Sequence, residues 1–126
     1  MKFGKVLQPS GGKLNFASLH PRRGLKSGIS YGTSKGVVEQ MTHAMAETWS
    51  RYGITANAIA PRFFQTELTT AVFSDLELTE KNANQTCIGS NGEISDMDGL
   101  MIFLCAPASI YVMGQILFVD GGYTAK

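Results

Sequence analysis

The eight residues Ile54–Pro61, ITANAIAP, constrain this chain more than any other stretch. Small and β-branched side chains fill the segment without alternating with polar ones. A strand covered on one face alternates, whereas a strand covered on both faces reads as a continuous apolar run, the habit of parallel sheets flanked by helices. Parallel neighbours cannot be joined by tight hairpins, so crossover segments are required on either side. The sequence supplies them. From Tyr31 to about Tyr52 the period changes, and Val38, Met41, Met45, Trp49 and Tyr52 recur at steps of three and four, one stripe of a helix. Glu39, His43, Glu47 and Arg51 fall elsewhere and suit a solvated face, and Gly53 is placed to end the helix. Before it, Lys13–Leu19 reads as a strand. After it, Asp96 is placed to cap a second helix ending near Cys105, with Met97, Leu100, Met101 and Leu104 as its apolar stripe and Pro107 beyond its end. Gly114–Gly122 reads as a third strand. Strand, helix, strand, helix, strand with right-handed crossovers gives an α/β architecture, a three-stranded parallel sheet covered by helices.

At 126 residues and 13.6 kDa the chain is expected to be one domain, 1–126. Its formal net charge of +1 gives no basis for a nucleic-acid or anionic-membrane surface, and Arg22, Arg23 and Lys26 are its one basic cluster. Cys87 and Cys105 match no metal-ligand spacing and read as two reduced thiols. No apolar run is long enough to span a bilayer, and the amino terminus carries no apolar leader core, so a soluble, cytoplasmic protein is expected. Residues before Ser10-Gly11-Gly12 read as the end of a helix, with Phe3, Val6 and Leu7 in one turn. The stretch 62–95 is long and mixed, with Phe63, Phe64, Leu68, Val72 and Phe73 suggesting short helices. Such a stretch within a small domain serves as a binding loop more often than as a linker. Asp75, Glu77 and Glu80 read as a solvated acidic face, and His20 as a loop residue near a pocket mouth.

Tyr31 and Lys35 are four residues apart, which stacks both side chains on one helix face. An ammonium one turn away favours a phenolate and prepares the phenol for proton transfer. Ser18 lies at the carboxyl end of the first predicted strand. Strand ends and the helix starts that follow them share one edge of a parallel sheet, the edge where such sheets place ligands.

These residues stand in a longer pattern. The strings NFASL, YGTSKGVVEQMTHAMAETWSRYGITANAIAP and GQILFVDGG, in this order and spacing, resemble the short-chain dehydrogenase/reductase family from about Gly12 onward. Within it the flavour is similar to sugar-acid and sugar-alcohol dehydrogenases and oxoacyl reductases. The resemblance implies a catalytic set: Ser18 polarises the substrate oxygen, Tyr31 is the general acid and base, and Lys35 activates the tyrosine and holds the nicotinamide ribose. It implies cofactor contacts at Tyr31, Lys35, Pro61, Phe64 and Thr66, NAD or NADP as cofactor, a small alcohol or ketone as substrate, and no metal. Residues after Thr66 match the family's variable substrate loop, about 62–95.

The chain also departs from the family. It contains no G-x-G-x-x-G and no T-G-x-x-x-G-x-G, the glycine-rich turn on which dinucleotide phosphates rest. The resemblance therefore implies a partial Rossmann-like, doubly wound fold, a carboxyl half lacking the amino-terminal dinucleotide-binding half. Arg62 stands where the family has glycine, so its side chain is expected either to crowd the ligand approach or to swing outward, with strain if the backbone keeps a glycine conformation, and Met113 stands where threonine is usual. In the intact family fold the first strand here is central, flanked by the family's fourth strand. Without that neighbour its edge is open, so self-association or a complementing chain is expected. Two functions remain open: an NAD(P)-dependent oxidoreductase that is inactive as this isolated chain, or a non-catalytic fragment or interaction module that docks onto a full-length relative.

Overall fold

In the computed structural model, which describes residues 11–19, 28–66 and 69–126 apart from the side chains of Ala71 and Val72, ITANAIAP forms strand β2, Ile54–Pro61. Its six inner residues are buried, and Ala56, Ala58, Ile59 and Ala60 are wholly inaccessible. Strands β1, Gly11–Phe16, and β3, Ile116–Val119, flank it in the order β1-β2-β3, both parallel to it. The sheet, the helices and the central position of the apolar strand are as the sequence pattern requires. Structure at Phe3, Val6 and Leu7, at His20, at the cluster Arg22, Arg23 and Lys26, and at Leu68 lies outside the described residues.

Helix α1, Ile29–Trp49, crosses from β1 to β2, followed by a 3₁₀ turn at Ser50–Tyr52. Gly53 then takes a φ of 74°, and its N–H donates to the Ser50 carbonyl, which ends the helix as expected. The buried seam differs from the predicted stripe. Thr42 and Ala46 are its buried residues, with Val38 and Met45 half-buried, whereas Met41 and Tyr52 are 39% and 57% exposed. Glu39 is half-buried rather than solvated. Val38 packs against the cluster of Ala17, Ala58 and Ala60, and Ala46 lies so close to Gly114 that a side chain there would meet it. Thr42 is satisfied there because its hydroxyl donates to the Val38 carbonyl at 2.8 Å and accepts from Asn15 Nδ2 at 2.9 Å.

Three boundaries also move. The β1 ladder occupies Gly11–Phe16 instead of Lys13–Leu19. The Ala17 N–H still reaches the Ile59 carbonyl at 2.8 Å, and Ala17, Ser18 and Leu19 stay buried beyond the strand. The third strand is shorter than Gly114–Gly122 because Gly114, Gly121 and Gly122 all have positive φ, which no strand accommodates. Asp96 does not cap the second crossover helix. Glu93 is the N-cap of a 3₁₀ turn at Ile94–Met97, and Asp96 closes the capping box by accepting from the Glu93 N–H at 2.8 Å. Helix α4 then runs Asp98–Cys105; the helices between are α2, Thr70–Phe73, and α3, Leu76–Ala83. Asp75, read as a solvated acid, caps α3 by accepting from the Leu78 N–H at 3.1 Å. Both cysteines are free thiols.

Candidate functional site

Because the three strands are parallel, their carboxyl ends share one edge of the sheet. Ser18 lies two residues past β1 and is 6% exposed. Tyr31 and Lys35 occupy the first two turns of α1, with Tyr31 48% exposed. The Lys35 ammonium is 5.7 Å from the centroid of the Tyr31 ring, so helical spacing has placed the two side chains together as expected. Lys35 Nζ also donates to the Phe16 carbonyl at 2.9 Å, which ties the start of α1 to the end of the strand that leads to Ser18. Phenol, ammonium and hydroxyl are carried by one corner, where α1 begins and β1 ends.

The other predicted contacts follow β2. Pro61 closes the strand and is half-buried. Phe64 is buried, forms an isolated parallel bridge with Gly92, and lies so close to it that a side chain at Gly92 would meet the ring. Thr66 sits in a hydroxyl-rich turn. Its N–H donates to Thr69 Oγ1 at 2.8 Å, and that hydroxyl lies 2.7 Å from the Phe64 carbonyl. Phe63 and Phe73 pack with ring centroids 6.2 Å apart.

Arg62 is not strained. Every positive φ among the described residues belongs to glycine, and the Arg62 N–H donates to the Val119 carbonyl at 3.1 Å. The guanidinium lies over the Tyr123 ring, 3.3 Å from its centroid, and Nη2 donates to Gln85 Oε1 at 2.8 Å. Met113 turns its sulfur toward the Ala56 N–H at 3.3 Å. A cavity of about 200 Å³ opens beside Arg62, with Phe64, Asn91, Val119 and Asp120 in its wall. Sequence reasoning missed this cluster, since its members are far apart in the chain and no local spacing announces it.

Asp120 fastens the turn that follows β3. Its carboxylate accepts from the Gly122 N–H, the Thr124 N–H and the Thr124 hydroxyl at 2.9, 2.9 and 2.7 Å. Burial alone would raise its pKa. The Thr124 and Gly122 hydrogen bonds and the nearby Arg62 charge outweigh burial and hold the carboxyl below its ordinary value. The turn in turn grips the 84–88 segment: the Cys87 and Ile88 amides donate to the Gly121 carbonyl, and Lys126 Nζ donates to the carbonyls of Asn84 and Thr86 at 3.0 Å each. A folded pKa below the unfolded one means that the carboxylate stabilises the fold above about pH 4 and that this contribution fades as pH falls through the lower folded value. Asp120→Asn is expected to reduce stability at neutral pH and to flatten the acid limb of a stability–pH curve followed by thermal melting. An unchanged acid limb would remove Asp120 from that role.

A family model described as enoyl-(acyl carrier protein) reductase matches residues 1–124. A solved short-chain type dehydrogenase/reductase from Mycobacterium ulcerans superposes with a TM-score of 0.86 at 25% identity, covering 94% of this chain and 43% of its own. The chain belongs to the short-chain dehydrogenase/reductase family. Among curated members it is similar to a galactitol 2-dehydrogenase (L-tagatose-forming) of Cereibacter sphaeroides, 44% identical over 95 residues, and to a gluconate 5-dehydrogenase of Gluconobacter oxydans, 38% identical over 96 residues. These matches cover 75% and 76% of this chain and 37% and 38% of the relatives. A gluconate 5-dehydrogenase from Burkholderia cenocepacia, solved with NADP and tartrate, superposes with a TM-score of 0.87 at 36% identity, covering 91% of this chain and 45% of that one. This short-chain dehydrogenase/reductase chain therefore spans less than half the length of the relatives and structures it matches.

The site suits one end of a dinucleotide better than the other. Tyr31, half exposed, and Lys35 beside it can meet a nicotinamide ribose at the sheet edge. The described segments between β1 and β2 and between β2 and β3 present no glycine-rich turn leading from strand to helix, so pyrophosphate has no cradle among the described residues. Among those residues, too, no helix is long and apolar enough to cross a membrane.

Proposed function

We propose that this chain carries the substrate-polarising and proton-transfer side of an NAD(P)-dependent oxidoreductase that interconverts a small alcohol and its ketone. A bound nicotinamide supplies the hydride for reduction and accepts it in oxidation. The chain's own residues do the rest. In reduction the Ser18 hydroxyl donates a hydrogen bond to the carbonyl oxygen, and the Tyr31 phenol passes its proton to that oxygen as the alcohol forms. In oxidation the Tyr31 phenolate takes the proton back. The Lys35 ammonium stabilises the phenolate, and with Tyr31, Pro61, Phe64 and Thr66 it faces the nicotinamide end of the cofactor. The observation that carries this reading is the Lys35 bridge, which holds ammonium and phenol at the strand end that delivers Ser18. The sugar-alcohol and sugar-acid dehydrogenases among the relatives support a polyhydroxylated alcohol or ketone as the substrate class. Two free thiols and no membrane-crossing helix among the described residues support a cytoplasmic setting.

A second reading, a chain that docks onto a longer relative and does no chemistry alone, is favoured by the missing phosphate cradle. Fluorescence titration of the isolated chain with NADH and NADPH separates the two. Binding weaker than about 1 mM, roughly −4 kcal/mol, is expected for both. Micromolar binding of either would mean that the 126 residues hold a dinucleotide without help.

A further inference from the structure

The cavity beside Arg62 stands apart from the catalytic corner, since none of Ser18, Tyr31 and Lys35 lies in its wall. Four segments share that wall: the end of β2, the 86–92 stretch, the 3₁₀ turn at Ile94–Met97 and the turn after β3. Phe64, Ile88 and Val119 are its apolar part; Arg62, Ser90, Asn91, Asp96 and Asp120 are polar groups on it. The fold, not a ligand, holds most of these groups. Arg62 is pinned by Tyr123 and Gln85, and three hydrogen bonds fix Asp120. Asn91 Nδ2 donates to the Thr79 carbonyl at 2.9 Å, which leaves Oδ1 as an acceptor. Asp96 accepts from the Glu93 N–H at 2.8 Å, and a carboxylate offers about four acceptor positions. A wall fixed in advance costs little to order when something binds.

Charge and chemistry narrow the occupant. One guanidinium against two carboxylates leaves the wall net negative, so a phosphate or carboxylate meets like charge there. A hydrocarbon would take Arg62 and Asp96 out of water with nothing in return. A hydroxyl does neither, because it donates to a carboxylate or amide oxygen while accepting from a guanidinium. Size agrees. A cavity of about 150 Å³ takes benzene, so about 200 Å³ suits roughly six to eight heavy atoms, a triol or tetraol. We propose that this cavity binds a small neutral polyol, whose hydroxyls donate to Asp96 and the Asn91 oxygen and accept from Arg62, with its carbon chain against Phe64 and Val119. The site is not catalytic and does not rest on the reading of Tyr31. Its occupant ties the end of β2, the 86–92 stretch and the turn after β3 together, and stabilises the folded chain by mass action.

The test titrates erythritol into the full, isotope-labelled chain and follows its amide resonances. Shifts that saturate in the millimolar range are expected at Asn91, Gly92 and Gly121, with none at Gly32 or Lys35. Asp96→Asn keeps an acceptor for the Glu93 N–H and is expected to weaken binding about tenfold, the worth of one hydrogen bond to a charged group. Ser90→Leu, at an exposed position on the wall, fills the space and is expected to abolish binding even if Asp96→Asn loosens its turn. A drift of all amides that never saturates would mean that the cavity holds only water, and would overturn the site. Unchanged affinity in both variants would place the polyol elsewhere. Tartrate or inorganic phosphate shifting the same amides more strongly than erythritol would overturn the neutral class. Nicotinamide doing so would assign the cavity to the cofactor instead. None of these readouts requires turnover. A Tyr31→Phe variant that keeps its rate would defeat the catalytic assignment and leave this site intact.

Discussion

Tyr31→Phe is expected to lower the rate of ketone reduction about 10²–10⁴-fold, the range of a positioned general acid. The measurement belongs to the chain assembled with a segment that supplies the phosphate cradle, with turnover followed by loss of reduced cofactor. The substitution removes one oxygen and keeps the ring, so the contact with the Lys35 ammonium persists. Tyr31 is half exposed, so loss of its hydroxyl should shift stability by only about 1 kcal/mol. The loss should fall on kcat, because the proton moves only as the carbonyl oxygen gains charge. A rate within a factor of two of the parent would exclude the phenol as the acid. A loss of rate that tracks a loss of folded protein would mean that the ring, not the hydroxyl, was needed.

The largest effect on stability is expected at Asn57. It is 2% exposed in the middle of β2, yet fully employed: Nδ2 donates to the Val112 carbonyl at 2.8 Å, and Oδ1 accepts from the Gln115 N–H at 3.0 Å. The two bonds fold the Val112–Gln115 turn back on the strand and set β3 in register, Ala58 opposite Ile116. Asn57→Ala removes both bonds and leaves a gap on the face of β2 that carries Thr55 and Ile59, which together cost about 2–4 kcal/mol. Asn57→Leu restores volume but neither bond, so the difference between the two variants measures packing against hydrogen bonding. Urea denaturation reads both. If both variants lie within about 0.5 kcal/mol of the parent, the turn is held by something other than Asn57.

How much of this was legible in the sequence varies with the range of the interaction. ITANAIAP announced a strand buried on both faces because nothing in it alternates, and β2 has the predicted ends. The pairing of Tyr31 with Lys35 was legible because helical spacing is local and survives any tertiary arrangement. The inward face of α1 was not. Hydrophobicity pointed to Met41 and Tyr52, but α1 buries Thr42 and Ala46, whose neighbours Asn15 and Gly114 are distant in the chain. The polar residues that lock the fold, Asn15 on Thr42 and Asn57 on the turn before β3, look like blemishes in apolar strands until their partners come into view. Arg62 was misjudged for the same reason: Tyr123, whose ring it covers, is 61 positions away in the chain, and only the adjacency of β2 and β3 brings them together.

Ala56, Ala58 and Ala60 also bear on how this sequence can drift over generations. Their faces set the distance from sheet to helix, and interiors this dense absorb an added methylene only by moving a neighbour. The neighbour is α1, so a valine at any of these sites would reach the phenol by way of the helix that carries it. On the proposed reading of Tyr31, the 62–95 stretch can diverge freely while the middle strand stays nearly frozen, because a change that loosens the interior there also shifts the helix that carries the phenol.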